Sequence, residues 1–267
     1  MKGILKHDIE AGILLEYKRF LIGFLLFTVL AICAVLKANM SSISWIECLA
    51  IMNKGALPFI NTRNSLAIFD IPIGWFIIQI YISYVIGVYP NHDLKQYGIN
   101  LLVRTKSREK WYIGKVVWGL ISIIIIYLLD FGAGAMLVMI KVYTNFLLVN
   151  ESINDKVEFG LFELTGSAQI LLVIVMPILT SLVACFVELF IVTLKNELVA
   201  YGSILFLCVA GTYYNCIAFW MPNSMLLRSG MLYNLGSVWK VFVFGVFVAI
   251  VFLIAGIQTF KRKDIFG

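Results

Sequence analysis

Charge is the scarcest property of this sequence. Asp, Glu, Lys and Arg make up 13% of its 267 residues, against 61% hydrophobic, whereas a soluble domain carries about 25% charge. One large water-soluble core is therefore excluded. It would have to hide several almost uncharged runs of about 20 residues, the length a helix needs to cross a bilayer about 30 Å thick. Short segments alternating in and out are also lacking, which excludes a transmembrane barrel. His7 and His92 are the only histidines, too few and too far apart in sequence for a metal centre. The five cysteines form no redox or metal spacing. Cys33, Cys185 and Cys208 fall in apolar runs, where small buried hydrophobes are the default, and only Cys48 and Cys216 are placed to share an outer disulfide. The chain has no G-x-x-x-x-G-K-[ST] loop, no H-E-x-x-H and no clustered acids or histidines at span ends, so no catalytic residue and no bound cofactor is assigned to it. It has neither a long basic arm nor a base-reading motif. Its net charge of +6 suits anionic headgroups and membrane topology better than nucleic acid.

What is present is a succession of apolar runs. They predict an all-α membrane protein with six transmembrane helices, both termini cytoplasmic, and an N-terminal amphipathic surface helix. Residues 1–19 form that helix: Leu5, Ile9, Gly12, Ile13 and Tyr17 recur at helical spacing among Lys2, Lys6, Asp8 and Glu10. The transmembrane domain covers 20–258, with spans at about 20–36, 71–89, 111–149, 168–192, 198–219 and 239–257. The first span is read as retained, because no small-x-small cleavage site follows it. Pro72 suits the first turn of the second span and Pro90 closes it. The third run is too long for one membrane thickness and holds Asp130 and Gly132-Ala133-Gly134-Ala135. It is either one helix with an outer extension or two spans with a tight turn near Asp130. The first is preferred, because two spans would put the basic tail outside. Pro177 lies inside the fourth span and predicts a kink or a freed carbonyl. Residues 220–238 are too interrupted for an ordinary span and either re-enter the outer leaflet or lie on it. The tail, 259–267, is basic and cytoplasmic.

Charge sets the sidedness. With both termini inside, the inner segments hold Lys2, Lys6, Lys18 and Arg19, six basic residues between Lys95 and Lys115, Lys195, and Lys261, Arg262 and Lys263. The inverted arrangement reverses this excess, against the positive-inside bias. The segment 150–166, with Glu151, Asp155, Glu158 and Glu163, then lies outside. The long basic stretch Asn91–Trp118 is cytoplasmic, with Trp111, Tyr112 and Trp118 as anchors at the interface.

This order resembles the permease subunit of a bacterial ABC transporter of the ABC-2 type. The likeness covers the whole plan: a surface helix before the first span, a basic loop between the second and third, and an interrupted outer segment between the fifth and sixth. Its most specific local feature is Arg104-Thr105-Lys106-Ser107-Arg108-Glu109-Lys110-Trp111-Tyr112-Ile113-Gly114-Lys115. The resemblance implies a multi-pass bacterial cell-membrane protein that binds no nucleotide itself. A separate ABC ATPase, in two copies, would use ATP and Mg. A second permease subunit, identical or related, would complete the path. It also implies a coupling helix within 91–110, where Asp93, Leu94, Gln96, Tyr97 and Arg104 would meet the ATPase.

Inside the spans, Asp130 is costly unless paired, hydrated or protonated. It is read either as a path or subunit-interface residue or as an interfacial one. Glu188 either snorkels or pairs with Lys195 or Lys115. Arg228 and Lys141 are placed to meet the acidic outer segment. On this reading the chain is an export permease for an amphipathic, peptide or lipid-like substrate, such as an antimicrobial peptide being cleared from the membrane. The alternative is a non-transporting immunity or sensor subunit that acts by binding a partner.

Overall fold

The computed structural model describes residues 2–37, 44–56, 72–98, 102–103, 107–147, 170–214, 219–229 and 235–262. Arg104, Cys216, the acidic segment 150–166 and the tail from Lys263 lie outside the described residues. The described chain is helical throughout. Helix α1 (Lys2–Ile9) runs on through a widened π turn, Glu10–Leu14, to α2 (Tyr17–Lys37). The short α3 (Trp45–Met52) is followed by α4 (Ile73–Asp93), which ends in a second π turn, Leu94–Gly98. Next come α5 (Arg108–Leu147), α6 (Met176–Leu194), α7 (Glu197–Tyr213), the one-turn α8 (Leu226–Ser229) and α9 (Leu235–Arg262). Five stretches are long and apolar enough to cross a membrane: Tyr17–Leu36, Ile73–Asp93, Arg108–Ile140, Leu171–Leu194 and Trp239–Arg262. The chain is thus an all-α, multi-pass membrane protein. Helix α7 is apolar but shorter, at 17 residues.

The bundle has two ends. The basal end gathers α1, the α4–α5 junction, the α6–α7 turn and the end of α9, where Trp111 stacks on Phe260 with ring centroids 4.7 Å apart. The distal end carries α3 and the segment from Trp220 to Arg228. One core cluster joins α1–α2 to α4–α5 through Phe27, Ile78, Ile86, Trp111 and Trp118. A second fills the space among α4, α6, α7 and α9 with Trp75, Ala184, Ile204, Cys208, Met221 and Val248. The apolar positions facing outward on α2 (Leu21, Leu25, Val29) and α9 (Val243, Phe247, Ile250, Ile254) are exposed, as lipid-facing side chains are.

Prolines and glycines act locally as their chemistry dictates, though not always where the sequence alone suggests. Pro90 does not close its helix. α4 continues through it to Asp93, because a proline one turn from a helix end removes a single backbone bond there. Pro177 follows the π turn Leu171–Val175 and sits in the first turn of α6, so the widened turn absorbs its missing N–H. Asp130 and the small residues after it make no turn: α5 is one helix of 40 residues.

Helix α1 is oriented differently from the pattern expected of it. Its buried positions are Ile4, Asp8 and Gly12, while Leu5, Ile9 and Ile13 are only partly buried and Tyr17 is exposed. It packs on α5 and the end of α4 through Ile4, Asp8 and Gly12, which leaves Leu5, Ile9 and Ile13 partly exposed. Gly12 permits this: a Cβ there would overlap Trp118 Nε1 and come within 2.7 Å of Tyr89 Cζ. Both rings are buried and packed against each other at a tilt, with centroids 4.2 Å apart, and neither can swing aside cheaply. Gly12→Val should therefore cost about 1–3 kcal/mol by overpacking, seen as a lower thermal midpoint in detergent, whereas Gly3→Ala, with open space around it, should leave the midpoint unchanged.

Candidate functional site

The basal end is organised around one ammonium group. Lys115, four residues beyond Trp111 on α5, is 1% exposed. Its Nζ forms an ion pair with Asp8 Oδ1 of α1 and lies 2.7 Å from Asp93 Oδ2 at the end of α4. Tyr89 Oη donates to Asp8 Oδ1 at 3.1 Å, and Trp111 Nε1 donates to Asp93 Oδ2 at 3.3 Å. His7 Nε2 lies 3.0 Å from Asp93 Oδ1. Nζ also stands over the Tyr89 and Trp111 rings, 4.5 and 5.0 Å from their centroids, where ring quadrupoles favour a cation. Gly114 and Gly98 make room for the acids: a Cβ would lie 3.0 Å from Asp8 Oδ2 at the first and 2.6 Å from Asp93 Oδ2 at the second. One cation thus ties together three chain segments that are far apart in sequence.

Burial pushes the Asp8 carboxyl up from its ordinary range, while the Lys115 charge and hydrogen bond pull the other way. Asp8 Oδ2 has no hydrogen-bond partner among the described residues. The donor atoms of His7, Asp8 and Asp93 lie within 4.8 Å of one another, the spacing of a metal site. Lys115 Nζ already contacts both carboxylates and supplies the positive charge a metal ion would bring, so these residues do not fit a metal.

The distal end has its own cation. Arg228 is 4% exposed, and among the described residues it donates to backbone carbonyls: Nε to Ala56 at 2.9 Å, Nη1 to Gly211 at 2.5 Å and Nη2 to Thr212. Gly211 and Thr212 are in the last turn of α7, whose carbonyls lack helical partners and carry partial negative charge. The backbone N–H groups of Leu226 and Leu227 donate to the carbonyls of Asn53 and Lys54, and Trp75 Nε1 donates to Ser224 Oγ at 2.6 Å. The interrupted segment after α7 is thus folded back into the bundle and pinned to the chain that follows α3. Burial pushes the Arg228 guanidinium down from its ordinary value. Its described partners are carbonyls; the acidic segment expected to meet it and the side chain of Lys141 lie outside the described residues.

Between the two ends, α4, α5 and α6 share a buried polar network. Gln79 Nε2 donates to Tyr127 Oη at 3.3 Å, Tyr127 donates to the Pro177 carbonyl at 2.9 Å and lies 2.8 Å from Ser181 Oγ, and Ser181 donates to Gln79 Oε1 at 3.0 Å. The carbonyl that a proline frees is that of the residue four before it, here Val173; the one this network uses is Pro177's own. Ser83 Oγ donates to Glu188 Oε1 at 2.6 Å. Glu188 therefore meets neither Lys115, committed to Asp8 and Asp93, nor Lys195 at the exposed turn. Asp130 is fully buried within the chain.

The residues expected to meet an ATPase divide. Asp93 is turned inward to Lys115, and Leu94 packs partly against the core. Gln96 and Tyr97 lie on the π turn after α4, and Arg104 is outside the described residues. Trp111, Tyr112 and Trp118 are all buried to within 1%, so they do not anchor the chain at headgroups. They fill the contacts of α5 with α9 and α4, where helix packing gives flat rings more contact than an interface does. Sequence reasoning missed Asp8, Lys115 and Arg228 as structural cations and anions. The one signal for Asp8 was its i, i+4 spacing from Ile4 and Gly12, with a carboxylate standing on an otherwise apolar stripe.

The chain belongs to the family DUF2705, described as proteins of unknown function, whose profile matches residues 29–266. No curated protein and no solved structure matches it.

Removing the cation should cost more than removing one acid. Lys115→Met leaves two buried carboxylates without a counter-ion, a loss of about 3–5 kcal/mol. Asp8→Asn keeps the Lys115–Asp93 pair and removes a carboxylate whose ionisation burial already opposes, so thermal unfolding in detergent should show a clearly smaller drop. At the distal end, Arg228→Lys keeps the charge but cannot span three carbonyls with a planar fork. It should lower stability by about 1–3 kcal/mol per carbonyl left unsatisfied, read by the same melts.

Proposed function

We propose that this member of the DUF2705 family is the membrane-spanning permease subunit of an ATP-driven exporter of the ABC-2 type. The observation that carries the reading is the Lys115 cluster. It makes α1, the turn after α4 and the start of α5 one mechanical unit at the basal end, and a force applied to the turn is delivered to the spans. A rigid-body movement of an ATPase biases a membrane protein only through contacts that differ between its states, and a clamped unit can provide such contacts where a solvated loop cannot. On this reading the chain has six spans, with α7 as the short fifth, and both termini and the basal end lie in the cytoplasm, a sidedness that the positive-inside excess supports.

The docking surface on this reading is the exposed side of the unit. Lys95 on the π turn and Lys110 at the start of α5 are exposed, whereas Asp93 holds the unit together from within. The ATPase is a separate chain in two copies and binds the ATP and Mg. A second permease, identical or related, completes the path for an amphipathic peptide or lipid-like substrate. The chain is not an enzyme by itself.

The test is purification of the tagged chain from its bacterial membrane in mild detergent. A stoichiometric nucleotide-binding subunit with ATPase activity should accompany the wild type. Lys95→Glu combined with Lys110→Glu should reduce its recovery about tenfold or more, equivalent to about 1.4 kcal/mol, without changing the melting midpoint. A chain that emerges alone and fully folded in several detergents would overturn the reading in favour of a non-transporting partner-binding subunit.

A further inference from the structure

Asp130 is used by none of the contacts described so far. It is 0% exposed, on α5 about 28 Å along the helix axis from Trp111 at 1.5 Å per residue. Neither of its carboxyl oxygens has a hydrogen-bond partner among the described residues. Its surroundings are apolar or neutral. Tyr127 stands one turn back on the same helix, and Gly134 one turn on lies against Leu49 and Cys48 of α3. The charged residues of α2 are at its ends, Lys18, Arg19 and Lys37, and α3 has Glu47 in its exposed capping box with Ser44. At the neighbouring level α4 and α6 present Gln79, Thr180 and Ser181, which do not titrate and are engaged with one another, with Tyr127 or with backbone carbonyls.

A carboxyl group in the interior of a membrane protein has three ways to persist: an ion pair, hydration or a proton. Among the described residues Asp130 has no basic partner, and it has no exposure. A metal cation would need a cage of several oxygens, and among the described residues the two carboxyl oxygens lack even one hydrogen-bond partner. A proton needs nothing beyond the carboxyl itself. We infer that Asp130 is a proton-binding site, occupied in this packed arrangement and emptied when the α3–α5 contact opens to water. Closing the bundle then takes up one proton and opening it releases one, whatever substrate the chain handles and whether or not an ATPase drives it.

The experiment is infrared spectroscopy of the purified full chain in lipid nanodiscs, from pH 5 to 9. A protonated-carboxyl band should be present at pH 7, should shift on ¹³C-aspartate labelling, and should be absent from Asp130→Asn. That near-isosteric variant should melt at or above the wild-type temperature at pH 7, because it replaces a neutral acid with a neutral amide. Glu188→Gln, the other buried span carboxyl, should leave the band in place. A wild-type spectrum with no protonated aspartate band at pH 7 overturns the inference, and so does a band removed by Glu188→Gln but not by Asp130→Asn. Should Asp130→Asn fail to fold, Asp130→Glu decides: its protonated-carboxyl band should no longer shift on ¹³C-aspartate labelling, and a band that still shifts overturns the inference.

Discussion

The basal architecture depends on a single buried ammonium placed between two carboxylates. Removing two acids and one base from water costs several kcal/mol per ion, and the cost is recovered only when geometry and hydrogen bonding are close to complete. Here Tyr89, Trp111 and His7 supply further bonds, Asp8 Oδ2 being left without one among the described residues, and the two aromatic rings give the cation a favourable bed. Such an arrangement specifies which segments meet more than it adds stability. An apolar α1 could slide along α5, but one carrying Asp8 has a single register in which its charge is matched.

The distal end reaches the same result with different chemistry. Arg228 has no carboxylate partner among the described residues and is held by the spent carbonyls at the end of α7 and by Ala56. The two ends are therefore locked by cations of different character: a compact ammonium that neutralises acids, and a planar guanidinium that satisfies backbone. Between them the α4–α5–α6 interface carries hydroxyl and amide groups in closed exchange with one another, which sets the rotation of those three helices as side-chain packing of Leu and Ile would not.

Much of the fold was legible because the bilayer imposes length and composition together. The spans stand out as uncharged runs, and the apolar length of the third run matches the one long helix α5. What was not legible is which way each helix faces. Trp111, Tyr112 and Trp118 look like interfacial anchors in one dimension, because tryptophans beside a basic loop usually are. Only the arrival of Phe260 and Tyr89 beside them turns them into core. Asp8 looked solvated because its neighbours in sequence are charged, and its partner lies 107 residues away. Pro90 looked like a stop because the cost of a proline depends on how near the helix end it falls, which the sequence does not mark. Arg228 could not be assigned, because carbonyl acceptors leave no trace in side-chain identity.

The 40 residues of α5 amount to about 60 Å of helix, roughly twice the thickness of a bilayer core. Clamped at Lys115 near one end, such a rod is a lever with a very unequal pair of arms. A tilt of about 10° about the clamp displaces the far tip by roughly 8 Å, while groups within a turn of the fulcrum move by about 1 Å. Small adjustments among Asp8, Lys115 and Asp93 would thus be multiplied on the opposite side of the membrane, and the length of this one helix sets the gain.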